Sequence, residues 1–229
     1  MKKLFYVLVF TSISCFAQDS FRHYNLDIKR GKESQVLSNF NSFWNDMEFN
    51  SGGIALQRVM FRNDVTHRVL SWGDPSNWGT TNWNQKEWEI YRLQGISNRN
   101  SNSKDSAMGT VLSVNTNGDT ESSRASNPYG KIFEYRIAQP EVFMKAYNEW
   151  INDKKVQKIM GDRRALLISF DAGGSGATHA FIFYGKNMND LILAERDTRT
   201  LKATAKFFEE RGKVEYGKIY FVETVSRFE

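Results

Sequence analysis

The chain has 229 residues, 40% of them hydrophobic and 25% charged, with a formal net charge of +5 and a single cysteine. This composition excludes a disordered or collagen-like chain and fits one large domain or two modest ones. Basic residues such as Lys29, Arg30 and Lys32 are interleaved with acidic ones rather than set in a stripe, so no nucleic-acid partner is expected.

The first seventeen residues have the form of a secretory signal. Lys2 and Lys3 make a basic start, Leu4 to Phe10 a short apolar stretch, and Ser14-Cys15-Phe16-Ala17 a small-residue end, which predicts cleavage between Ala17 and Gln18. The exported product, periplasmic or secreted, would carry a charge near +3. It would have no cysteine, because Cys15 leaves with the signal. Disulfides, thiolate metal sites and a cysteine nucleophile are then excluded. No later stretch is long and apolar enough to span a bilayer, so no integral membrane segment is expected after cleavage.

From Phe21 to Lys29 polar and apolar residues alternate, predicting a half-buried strand that Gly31 ends. Val36, Leu37, Phe40, Phe43, Trp44 and Met47 then fall at helical spacing over 33–47. After Gly52-Gly53, residues 54–61 and 67–72 read as two strands joined by an Asn63-Asp64 turn. A loop from Gly73 leads to a helix over 83–93, and Ser97 to Asp105 reads as a polar loop. Residues 108–114 alternate as a fourth strand, and Asn117-Gly118 signals a turn. Residues 119–130 have almost no large apolar side chain and are read as a linker.

The same order then recurs. Residues 131–137 read as a strand and Pro140 opens a helix carrying Phe143, Tyr147, Trp150 and Ile151 inward. Residues 164–170 and 179–184 form a hairpin around Asp171 to Gly176, residues 187–210 are helical in one or two pieces, and 218–225 form the last strand. Sequence pairs reinforce the repeat: FNSFWND at 40–46 against YNEWIND at 147–153, and THRVLSWG at 66–73 against THAFIFYG at 178–185.

Each half is thus β-α-β-β-α-β, the ferredoxin-like order, an antiparallel sheet with two helices on one face. The expected domains are 18–118 and 131–229, and the expected fold is α+β, with the two sheets paired face to face in one intrachain barrel. On this element order and the duplicated Thr-His, the chain resembles the dimeric α/β-barrel superfamily, which includes antibiotic-biosynthesis-monooxygenase-like proteins. That resemblance implies a pocket lined by a few polar residues, used without a cofactor or with haem.

Several residues are candidates for a ligand site. His67 and His179 occupy equivalent strand starts, and strand alternation puts Phe181 and Phe183 on the face of His179. An imidazole there could act as a base, a haem ligand or a polar anchor, or simply satisfy the hairpin end. Trp78 and Trp83 lie in the polar stretch GDPSNWGTTNWNQ, outside any apolar period; they are either a ligand platform or a plug for the barrel end. The glycine run at 171–176 lacks the Lys-Ser/Thr pair of a phosphate loop. No histidine pair has metal-ligand spacing, and nothing selects Asp27, Asp64, Asp171 or Glu195 as catalytic. The expectation is therefore an exported protein that binds a small, partly apolar ligand in or at the mouth of the barrel. The alternatives are a monooxygenase-like enzyme and a structural component of the envelope.

Overall fold

A computed structural model describes residues 19–94, 99–116 and 121–229. The signal-like segment and the Asn117-Gly118 turn lie outside these residues. Eight strands close into a barrel, all paired antiparallel. In chain order they are β1 (Ser20–Ile28), β3 (Gly53–Met60), β4 (His67–Gly73), β6 (Ser101–Thr116), β7 (Tyr129–Ile137), β8 (Arg164–Ala172), β9 (His179–Gly185) and β10 (Val214–Phe228). Two further strands, β2 (Phe49–Ser51) and β5 (Gly79–Thr80), form a separate small ribbon.

Around the barrel the order is β1-β4-β3-β10-β7-β9-β8-β6. Within each half the four strands lie in the order fourth, first, third, second. The halves join along β3–β10 and β6–β8. Both seams use the long strands β6 and β10, which also pair inside their own halves. Bulges at Val111/Ser113 and Thr224/Ser226 bend these strands so that one strand serves both pairings.

The helices lie outside the barrel. Helix α1 (Glu33–Trp44) buries Val36, Phe40 and Trp44 against Leu26, Ile28, Ile54 and Leu56. Helix α2 (Gln85–Gln94) stands beside it. In the second half, α4 (Pro140–Ile151), α5 (Lys154–Met160), α6 (Met188–Arg199) and α7 (Lys202–Glu210) cover Phe133, Ile137, Leu167 and Phe183. The Asp153 side chain caps α5 by accepting from the amides of Lys155 and Val156. Opposite strand faces fill the barrel with Phe21, Leu166, Ile168, Ile182, Tyr184, Tyr220 and Val222. An eight-stranded barrel is just wide enough for side chains to fill, and here they do.

Three local expectations are corrected. Residues 101–105 are not a loop: Ser101, Asn102 and Ser103 pair with Ile28, Asp27 and Leu26 and extend β6. Backbone pairing with β1 outweighs the polar composition, because the Asn102 and Lys104 side chains face solvent at no desolvation cost. Within the stretch read as a linker, Glu121–Ser126 form α3, a short helix that buries no residue and so leaves no apolar period to detect. Helix α5 and the β2–β5 ribbon have no counterpart in the expected elements.

Candidate functional site

Strand alternation sends the side chains of β1 to two different places. Phe21 and His23 point into the barrel, while Arg22, Tyr24 and Leu26 point outward. Over that outer face, between β1, β4, the β2–β5 ribbon and α2, lies a cavity of about 790 Å³. This is within the size range of small-molecule sites. The barrel interior, by contrast, keeps only about 100 Å³ beside His23 and Arg68.

The wall of the large cavity is aromatic. Trp44, Trp78, Trp83, Trp88, Tyr91 and Phe49 all line it. The rings brace one another: Phe43 stacks on Tyr91 at 4.3 Å, Trp44 on Phe49 at 5.8 Å, and Trp83 lies 5.3 Å from Trp88. Trp83 is 46% exposed and Trp78 half-buried. Neither plugs the barrel; the tryptophan that enters it is Trp72, under the Arg227 guanidinium at 4.8 Å.

Polar groups on this wall are few. The Arg22 guanidinium lies over the Trp78 ring at 4.8 Å, a cation–π contact. Arg92 lines the same cavity. The Thr80 hydroxyl and the Trp44 indole N–H are buried there without a well-formed hydrogen bond. The Trp44 N–H does lie near the Tyr91 hydroxyl, whose pKa burial pushes well above its usual value. No histidine, aspartate or glutamate is part of the lining, and no cluster of metal-ligating side chains exists among the described residues.

The sequence-derived candidates therefore separate. Trp78 and Trp83 sit together on the large cavity. His67 and His179 do not reach it; both are 8% exposed and face the helix layers. Each histidine follows a threonine with the same task. The Thr66 hydroxyl accepts from the Ile28 amide at 2.8 Å, and the Thr178 hydroxyl accepts from the Ile137 amide at 3.0 Å, tying the end of each half's first strand to its third. The histidine Nδ1 atoms lie 3.1 and 2.8 Å from those hydroxyls. Burial lowers the pKa of both imidazoles. Phe181 and Phe183 line a cavity of about 120 Å³ under α4, α6 and α7.

The glycine run connects β8 to β9 and packs against β6. Gly173 has φ +79°, and a Cβ there would come within 2.1 Å of the Ser106 carbonyl oxygen, so only glycine fits. The Ser175 hydroxyl then donates to Asp105 at 2.9 Å. What sequence reasoning missed is the part of Arg22, Trp44 and Thr80. Arg22 and Trp44 belong to an ordinary strand and helix period, and only the fold brings them to one wall.

No protein-family model and no curated protein matches the sequence. Solved structures do match in fold. A monooxygenase-like protein of Fusobacterium nucleatum superposes with a TM-score of 0.57 at 15% identity, covering 93% of this chain and 94% of that one. A heme-binding protein of Thermus thermophilus gives 0.53 at 10% identity, with 91% and 92% covered. A variant of the chlorite dismutase of Candidatus Nitrospira defluvii gives 0.54 at 11%, with 90% and 91% covered. The likeness is one of fold alone, an antiparallel α+β barrel.

A histidine-ligated haem does not fit the residues present. No imidazole lines the 790 Å³ cavity, and the cavity in the second half, at about 120 Å³, is far below the size of a cofactor site.

Proposed function

We propose that this chain is an exported binding protein built from two tandem ferredoxin-like units. Its ligand has a flat, apolar body and an anionic end, and is held outside the barrel between the first sheet and α2. The observation that carries this reading is the aromatic cavity with Arg22 stacked on Trp78. Indoles offer large rigid surfaces at low entropic cost, and an arginine braced on a ring meets a carboxylate or sulfonate with little loss of freedom. The Thr80 hydroxyl, buried without a hydrogen-bond partner of its own, supplies a further polar contact for a ligand.

Binding is favoured over catalysis because the lining lacks a group able to move a proton near neutral pH. The fold neighbours keep a monooxygenase-like enzyme as the second reading. Turnover would need a base outside the described lining.

The test uses anilinonaphthalene sulfonate, an aromatic anion, as probe. Its fluorescence should rise saturably with the full chain and quench the tryptophans. Arg22→Gln should weaken binding by roughly 10- to 100-fold, the loss of one charged hydrogen bond. Trp78→Ala should weaken it too while lowering stability by less than about 1 kcal/mol, as expected of a partly exposed residue. Saturable binding unchanged by both substitutions would overturn the reading. Export rests on the basic, apolar and small-residue order of residues 2–17. Edman sequencing of protein from the native host should begin at Gln18, and retention of Met1 in the cytoplasmic fraction would refute it.

A further inference from the structure

The inner face of β1 meets a different chemistry from the outer one. Arg68 is 4% exposed and projects into the barrel. Its Nε donates to the Gln57 amide oxygen at 3.2 Å and its Nη1 to the Tyr220 hydroxyl at 3.4 Å. Among the described residues no carboxylate lies within 4.0 Å of it. The nearest acid in this network, Glu134, is reached only through the Tyr220 hydroxyl, which donates to it at 3.0 Å. A guanidinium does not give up its proton, so its charge stays in the barrel, where an unpaired cation is costly.

Beside Arg68 lies the barrel's remaining cavity, about 100 Å³, also lined by His23 and Gln57. It is large enough for several waters or one small oxyanion. At its outer end stand three more arginines, Arg124, Arg164 and Arg227. Two of these already grip a carboxylate: Glu229 Oε1 accepts from Arg124 Nη1 at 3.1 Å and from Arg227 Nε at 2.8 Å. Asp19 is the acid that lines the cavity itself. This cavity shares no lining residue with the aromatic one.

We propose that the barrel cavity is a second binding site, for one small oxyanion of carboxylate or phosphate type. Arg68 is its deep charge, the His23 ring offers an N–H, and Arg124, Arg164 and Arg227 line the way in. The Glu229 side chain holds Arg124 and Arg227 in the free protein and is displaced by the anion.

The experiment titrates the full chain with potassium phosphate, sulfate and acetate against potassium chloride at matched ionic strength, by calorimetry and thermal melts. In parallel, NMR follows the His23 ring. Its surroundings are Arg68, Arg62 and Asp105, with Phe21 and Phe170 packed on it. An anion beside the ring should raise its pKa. Arg68→Met and Arg227→Gln should each weaken binding by about 10- to 100-fold. Glu229→Gln should strengthen it, since the internal competitor is gone. Preference among the three anions separates a phosphate-type from a carboxylate-type ligand. The proposal fails if no anion exceeds chloride, or if affinity and the His23 signal are indifferent to Arg227→Gln and Glu229→Gln. Those two variants are at the partly exposed rim and remain informative should Arg68→Met not fold. The dye experiment on the aromatic cavity is independent and can succeed or fail separately.

Discussion

His23 shows how one buried side chain sets a pH dependence. Burial, with Arg68 and Arg62 adding to it, lowers its pKa to about 3, against the ordinary 6.5, while Asp105 opposes the shift. The folded protein therefore binds this proton less readily than the unfolded chain. Stability from this group is complete above pH about 6.5 and drains away on acidification toward pH about 3, by at most roughly 5 kcal/mol at 1.36 kcal/mol per pH unit. His23→Phe should flatten that part of the profile. The informative quantity is the difference between wild-type and variant urea curves from pH 7 to 4, since carboxylates titrate in the same range in both. A difference that does not change with pH would mean that His23 is not buried as described. Trp78 and Trp83 make the complementary point. Their place in a polar stretch marks them as unusual in sequence, but whether they plug a barrel or wall a cavity depends on chain segments far away.

At the scale of elements, the Thr-His pairs are best understood as clasps. In each half the threonine hydroxyl accepts from the amide of the last strand residue, Ile28 or Ile137, and its own amide donates to the carbonyl of Leu26 or Tyr135. Thr66→Val and Thr178→Val keep the shape but leave a buried amide without its acceptor. Each should cost about 1–3 kcal/mol in urea unfolding, and the two losses should add, since the sites lie in different halves. A loss in one half only would show that the clasps are not equivalent. The two Thr-His pairs were visible in the sequence because both threonines serve the backbone in the same way, at the start of a strand. Helix α3 and residues 101–105 of β6 were not visible, because they bury no large apolar side chain and their structure comes from backbone pairing and local geometry.

At the scale of the whole molecule, closure of the barrel assigns the roles. Each half leaves one sheet face to cover, and β6 and β10 bend through bulges so that the two sheets share their edges as well as their faces. The interior then becomes a packed core, and the space for a large ligand falls outside it, beneath α2. The sequence by itself determined which segments form the main strands and helices of the barrel and which face of each is apolar. These follow from local periodicity and composition, which the chain carries residue by residue. Only the tertiary structure decided that His67 and His179 turn to the helix layers, that Arg22 meets Trp78, and that Arg68 lies in the barrel without a carboxylate partner. The physical reason is that strand alternation gives each side chain one of two faces, while closure of the sheet determines what each face meets.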